Sequence, residues 1–165
     1  MKLYLAGFDV FRPDARSHGE ALKRLCAQYG CQGLYPLDND APATLRGRAL
    51  AEWIYGANIA LIRRCDAVAA NLNPFRGAEP DSGTAFEVGY AAALGKPVWG
   101  YTSQRRPLVG QVACARDAVT GRHVDGQGYT VEDFGLNVNL MLACGGQIVC
   151  GGLRQCLEAL TASRR

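Results

Sequence analysis

With 165 residues, 48% hydrophobic and 20% charged side chains and a net charge of +3, the chain has the size and balance of one globular domain with a real core. No apolar run approaches a membrane span, MKLYLAGFDVF is too short in apolar length for a secretory leader, and no basic stripe carries interleaved aromatics. Membrane insertion and nucleic-acid binding therefore lack support, and a cytoplasmic location is expected.

Lys2–Ala6 (KLYLA) reads as a first buried strand that ends at Gly7. After Pro13, SHGEALKRLCAQYG places Ala21, Leu22 and Leu25 at helical spacing, with Ser17 as the expected cap and Gly30 as the stop. GLYPLDND is a short strand running into a polar loop. From Arg46 to Arg64, Leu50, Trp53, Ile54, Ala57, Leu61 and Ile62 recur every three or four positions, which predicts a long amphipathic helix. Ala67–Leu72 is small and apolar throughout, as a central parallel strand requires.

A helix is expected from about 82 to 94, stopped by GKP, and VWGY is a fourth strand. Residues 103–129 read as a long surface loop with a short fifth strand near Val124. A short helix around NLMLAC and a final helix over 148–162 close the chain. Strand and helix alternate, so residues 1–165 are expected to form a single α/β domain. Its architecture is a doubly wound, flavodoxin/Rossmann-like parallel sheet of about five strands with helices on both faces. Ligands of such sheets bind beyond the carboxyl ends of the strands.

The loops at that edge carry no GxGxxG and no GxxxxGK[ST]. Seven cysteines without a CxxC and only two histidines give no zinc spacing and no disulfide framework. Neither a metal nor a cofactor is expected. Acids do gather there: Asp9, Asp38, Asp81 and Glu87, with Asp66 at the other end of the third strand unless that strand starts later. Asp38 fits plain turn chemistry, and Asp81 or Ser82 fits a helix N-cap as well as a ligand contact. Glu87 lies among Ala85, Phe86, Val88, Tyr90, Ala91 and Ala92, where a carboxylate loses hydration and needs a partner or a task. Structural and functional roles are balanced on these grounds. Gly83 and Gly89 leave room beside Glu87 for a ligand or for close helix–sheet packing, and Gly7 suits a tight turn. Tyr4 could reach Glu87, or belong to the core, and Phe8 and Phe11 could stack on a flat ligand or belong to the core.

YLAGFDVF, YPLDND, the block CDAVAANLNPFRGAEPDSGTAFEVGYAAALGKPVWGY and NVNLML together resemble the nucleoside 2-deoxyribosyltransferase family over nearly the whole chain. The resemblance implies transfer of a 2-deoxyribosyl group between purine or pyrimidine bases, with retention, through a covalent glycosyl–enzyme intermediate. It makes Glu87 the nucleophile, Tyr4 its orienting partner, Asp81 a ligand of a sugar hydroxyl, and Asp66 the acid that exchanges a proton with the base. It makes Asn139 and Met141 residues that reach a neighbouring subunit's pocket, hence a homo-oligomer built on dimers, up to a hexamer. The implied partners are 2'-deoxynucleosides and free nucleobases. A relative that hydrolyses 2'-deoxynucleoside 5'-monophosphates is the enzymatic alternative, opposed by the anionic Asp81 where a phosphate would lie. A non-catalytic nucleotide-binding module is the other alternative, opposed by the joint presence of Tyr4, Asp66, Asp81 and Glu87.

Overall fold

The computed structural model describes residues 1–164. Its central sheet has five parallel strands in the order β2–β1–β3–β4–β7. They are β1 (Lys2–Ala6), β2 (Gln32–Leu34), β3 (Ala67–Asn71), β4 (Val98–Thr102) and β7 (Gln147–Cys150). A separate antiparallel pair joins β5 (Cys114–Arg116) to β6 (His123–Asp125). The helices are α1 (Ala15–Gln28), α2 (Gly47–Arg64), α3 (Ser82–Ala93), α4 (Leu140–Cys144) and α5 (Leu153–Ala162). The expected doubly wound α/β architecture is present.

Alternation along β1 divides the core. Tyr4 and Ala6 point to one face and pack with Leu61 and Ile62 of α2, Val88 and Ala91 of α3, and Leu142 of α4. Leu3 and Leu5 point to the other, against Cys26 of α1 and Cys156, Leu157 and Leu160 of α5. Every residue of β3 is buried, since helices cover both faces of this middle strand. Gly100 of β4 faces the α2/α3 layer, where a Cβ would stand 2.5 Å from Leu72 Cδ1 and 2.8 Å from Ile148 Cδ1. Any larger residue there would require the Leu72 and Ile148 side chains to shift.

Three expectations are corrected. The fifth strand of the sheet is β7 and not a segment near Val124, which lies in the β5–β6 hairpin. Ile148 and Val149 suit a strand, and Gly151, at φ +141, turns the chain before α5 begins at Leu153. At the other end, α1 starts at Ala15, so Ser17 lies within the first turn and its Oγ donates to the Asp14 carbonyl. Among the described residues no helix is long and apolar enough to cross a membrane.

Candidate active site

Chain order reverses direction between β1 and β3, since β2 lies on one side of β1 and β3 on the other. A cleft of about 430 Å³ opens over this carboxyl edge. The loop after β1 supplies Gly7 and Phe11, α1 supplies Arg16, and the loop after β2 supplies Leu37 and Asn39. Trp53 and Asn58 come from α2, and Asp81, Gly83 and Glu87 from the start of α3. Ligand sites of open parallel sheets form at such switch points.

Glu87 is on the face of α3 turned toward β1 and α2. The Tyr4 hydroxyl donates to its Oε1 at 2.6 Å, and Asn58 Nδ2 donates to the same oxygen at 3.3 Å. Burial is the largest influence on the carboxyl and pushes its pKa from 4.5 up to about 7; Asp81 adds repulsion, while the two donors oppose the rise. Tyr4 is fully buried, and burial together with the neighbouring carboxylate drives its phenol far above its ordinary range. Near neutrality the site therefore holds a carboxylate that is half charged, poorly hydrated and fixed through one oxygen. Such a group can add to an electron-poor carbon or stabilise a nearby cation.

Asp81 caps α3, as one of its two expected uses requires, and it borders the cleft. As N-cap of α3 its Oδ2 accepts from the Thr84 amide at 2.9 Å and the Thr84 hydroxyl at 3.0 Å, and the residue also lines the cleft beside Glu87. A Cβ at Gly83 would stand 3.1 Å from that Oδ2. Gly7 is packed so closely that a Cβ would lie 2.8 Å from Asn71 Cβ and 3.0 Å from Asp9 Oδ2. Phe8 is not on the cleft wall: its ring stacks on Phe75 at 4.9 Å, while Phe11 and Trp53 line the cleft. Phe75 also stacks on Phe11, with the Arg76 guanidinium 4.7 Å from the Phe75 ring centre.

Asp66 is corrected. It precedes β3, its amide donates to the Lys2 carbonyl and its Oδ2 accepts from the Lys2 amide at 2.7 Å. Asp66 thus lies at the amino edge of the sheet, roughly 16 Å along the strand from the carboxyl edge. It cannot exchange protons with a ligand in the cleft. The strand starts where the apolar run starts, directly after Asp66. Asp38 behaves as turn chemistry, accepting from the Tyr35 amide at 2.9 Å and from Lys23 Nζ at 2.6 Å.

Within one chain Asn139 and Met141 are also apart from Glu87. They border a second cavity of about 290 Å³ against Ala85, Val88 and Gly89, on another face of α3. Asn139 caps α4, its Oδ1 accepting from the Met141 amide at 3.0 Å, and its Nδ2 donates to Glu132 at 2.7 Å. Met141 is 74% exposed.

Asn58 and Arg16 are among the cleft residues not singled out from sequence. Asn58 interrupts the apolar stripe of α2 between Ala57 and Leu61, and that interruption is a readable signal of the same kind as Glu87. Arg16 donates to the Leu37 carbonyl at 3.3 Å and to Asp40 at 2.6 Å, anchoring the far wall. As one of four arginines in the first 46 residues it carried no distinguishing pattern. Asp9, also at this edge, is buried between His18 Nε2 at 3.1 Å and Asn71 Nδ2 at 2.8 Å.

A parallel α/β domain with a tyrosine-bound carboxylate in a switch-point cleft has the geometry of an enzyme site. The sequence profile of the nucleoside 2-deoxyribosyltransferase family matches residues 3–141, and the chain belongs to that family. A 2-desoxiribosyltransferase from Leishmania mexicana is 34% identical, with 99% of each chain covered and a TM-score of 0.78. An uncharacterised protein of Schizosaccharomyces pombe is 37% identical over 143 residues, which span 79% of this chain and 66% of that protein's length. A CMP N-glycosidase of Clostridium botulinum shares the fold at 13% identity and a TM-score of 0.51, over 98% of this chain and 99% of that one. The family's description and the name of the Leishmania relative both denote glycosyl-transferring enzymes, which supports an enzymatic activity for this chain.

Proposed function

We propose that the protein is a nucleoside 2-deoxyribosyltransferase that works through a covalent glycosyl–Glu87 ester. The observation that carries this reading is the 2.6 Å contact of Tyr4 with a Glu87 carboxylate lining the switch-point cleft. A 2'-deoxynucleoside binds with its sugar beside Glu87 and Asp81 and its base toward Phe11, Leu37 and Arg16. The ionised Glu87 adds to C1', the C1'–N bond breaks, and its electron pair leaves with the base. Developing negative charge on that base faces the Arg16 side of the cleft. A second base then adds its nitrogen lone pair to C1' from the vacated face, the ester opens, and Glu87 is regenerated as a carboxylate. Two displacements give net retention. Protons of the departing and arriving bases pass through the open end of the cleft, since Asp66 is on the opposite edge.

The catalytic residues are then Glu87 and Tyr4, and Asp81 binds a sugar hydroxyl with the oxygen that does not cap α3. Gly7 and Gly83 keep the backbone close to the ligand. Asn139 and Met141 are assigned to the cleft of a second subunit in a homo-oligomer, consistent with the exposure of Met141. Incubation with deoxyinosine and free adenine, followed by chromatography, tests the reading: deoxyadenosine should form. Release of adenine from deoxyadenosine monophosphate without an acceptor would assign the protein instead to hydrolysis of nucleotides. Slow hydrolysis of deoxyinosine without an acceptor is expected of the transferase, because water can open the same ester.

A further inference from the structure

The side chain of Asn58 makes one hydrogen bond, from Nδ2 to Glu87 Oε1, and its Oδ1 is enclosed without any partner. It sits on the inner stripe of α2, next to Ala57 and one turn before Ile62. We propose that Asn58 is a positioning residue that, together with Tyr4, fixes one oxygen of Glu87 so that the other is left to react. The two donors arrive from different elements, β1 and α2, and converge on Oε1. Oε2 accepts from no protein group among the described residues. Two donors on one oxygen define both the position and the plane of the carboxylate, which a single donor does not.

The orphaned Oδ1 separates this role from a structural one. A buried carbonyl with no partner destabilises a fold, whereas a leucine, with the same branching and number of heavy atoms, would avoid that penalty. A residue placed there for stability alone would not be an asparagine. Only the contact with Glu87 orients the amide, because the reversed orientation would set oxygen against oxygen.

The groups facing Glu87 are Tyr4 from β1, Asn58 from α2 and Asp81 at the head of α3, with Arg16 of α1 lining the same cleft. Tyr4 and Asn58 favour the charged carboxylate; burial and Asp81 oppose it. Removing Asn58 therefore leaves Glu87 harder to ionise, and activity should be lost first on the acid side.

The test compares wild type, Asn58→Leu and Asn58→Ala by carbon-13 NMR titration of the Glu87 carboxyl, with Glu87→Gln to assign the resonance. Thermal melts and pH–rate profiles run in parallel. The midpoint should rise in both variants by roughly half to one pH unit. kcat should fall about three- to tenfold below the midpoint and recover toward wild type at high pH. KM should change little, and the leucine variant should melt no lower than wild type. An unmoved midpoint, or a lower melting temperature with the same loss at every pH, would overturn the proposal. The kinetic arm rests on Glu87 as nucleophile. If wild type transfers no sugar, that reading fails, while the titration still decides the role of Asn58.

Discussion

Glu87 should weaken the fold that presents it, and the size of the effect follows from its surroundings. The carboxyl is shifted from 4.5 to about 7, chiefly by burial. At about 1.4 kcal/mol for each pH unit, the displacement corresponds to at most about 3–4 kcal/mol. The sign is set by which state holds the proton more tightly. The folded state does, so the two states carry the same charge at this site below 4.5. The unfolded chain is progressively favoured between 4.5 and 7, and the whole penalty is present above 7. Glu87→Gln removes the ionisation but keeps an oxygen that accepts from Tyr4. Its stability should match wild type at pH 4.5 and exceed it at pH 8. For a domain of this size, each kcal/mol moves the melting temperature by roughly 2–4 °C. Thermal melts at the two pH values should therefore show a gain of several degrees at pH 8 that vanishes at pH 4.5. A pH-independent difference, or a variant less stable at pH 8, would refute a buried, destabilising charge.

Tyr4→Phe removes the shorter donor on Glu87, so the acid limb of the pH–rate profile should move to higher pH. kcat at pH 7 should drop roughly ten- to a hundredfold, the worth of a hydrogen bond to a charged group; initial rates from pH 5 to 9 decide it. Asp66→Asn should leave turnover within about twofold of wild type, because the residue is at the amino edge; a large loss in chromatographic assays would restore it to the mechanism. Asp81→Ala should raise KM and also lower stability by about 1 kcal/mol through loss of the α3 cap, read by Michaelis kinetics and urea unfolding. Mixing Asn139→Ala with Glu87→Ala subunits should regenerate activity where neither alone is active, once subunits exchange. If the mixture stays inactive after exchange is shown by labelling, the shared cleft is wrong.

Most of the sheet was legible because its strands announce themselves in composition. β3 is small and apolar from Ala67 onward, and α2 repeats its apolar positions over five turns, so their order and parallel arrangement followed. Glu87 stood out for the same reason, as a charge among alanines and valines, and Tyr4 became its partner once both were on the same layer. The C-terminal part was harder to read. QIVCGGLRQC runs a short strand into a helix through two glycines, and without the neighbouring β4 nothing distinguishes Ile148 and Val149 in a strand from the same residues opening a helix. Asp66 shows a different limit: the apolar run already put it at the amino end of the strand, and the resemblance drew it toward a site from which the five residues of β3 separate it. Asn58 was readable in principle, but a lone amide in a helix signals less than a carboxylate.

The Tyr4–Glu87 contact joins positions 83 residues apart, and that distance ties activity to the order in which the chain assembles. β1 leaves synthesis first, yet it ends between β2 and β3 in the finished sheet. Its phenol can meet the carboxylate only after α3 has docked over β3, because both partners face the same layer. Closing so long a loop is favourable only when the strands between already hold it. Neither an amino-terminal fragment ending before α3 nor a chain lacking β1 contains a working carboxylate. Turnover is thus a reporter of completed folding, and two fragments divided in the polar segment between Leu37 and Arg46 should be silent apart and active when they combine.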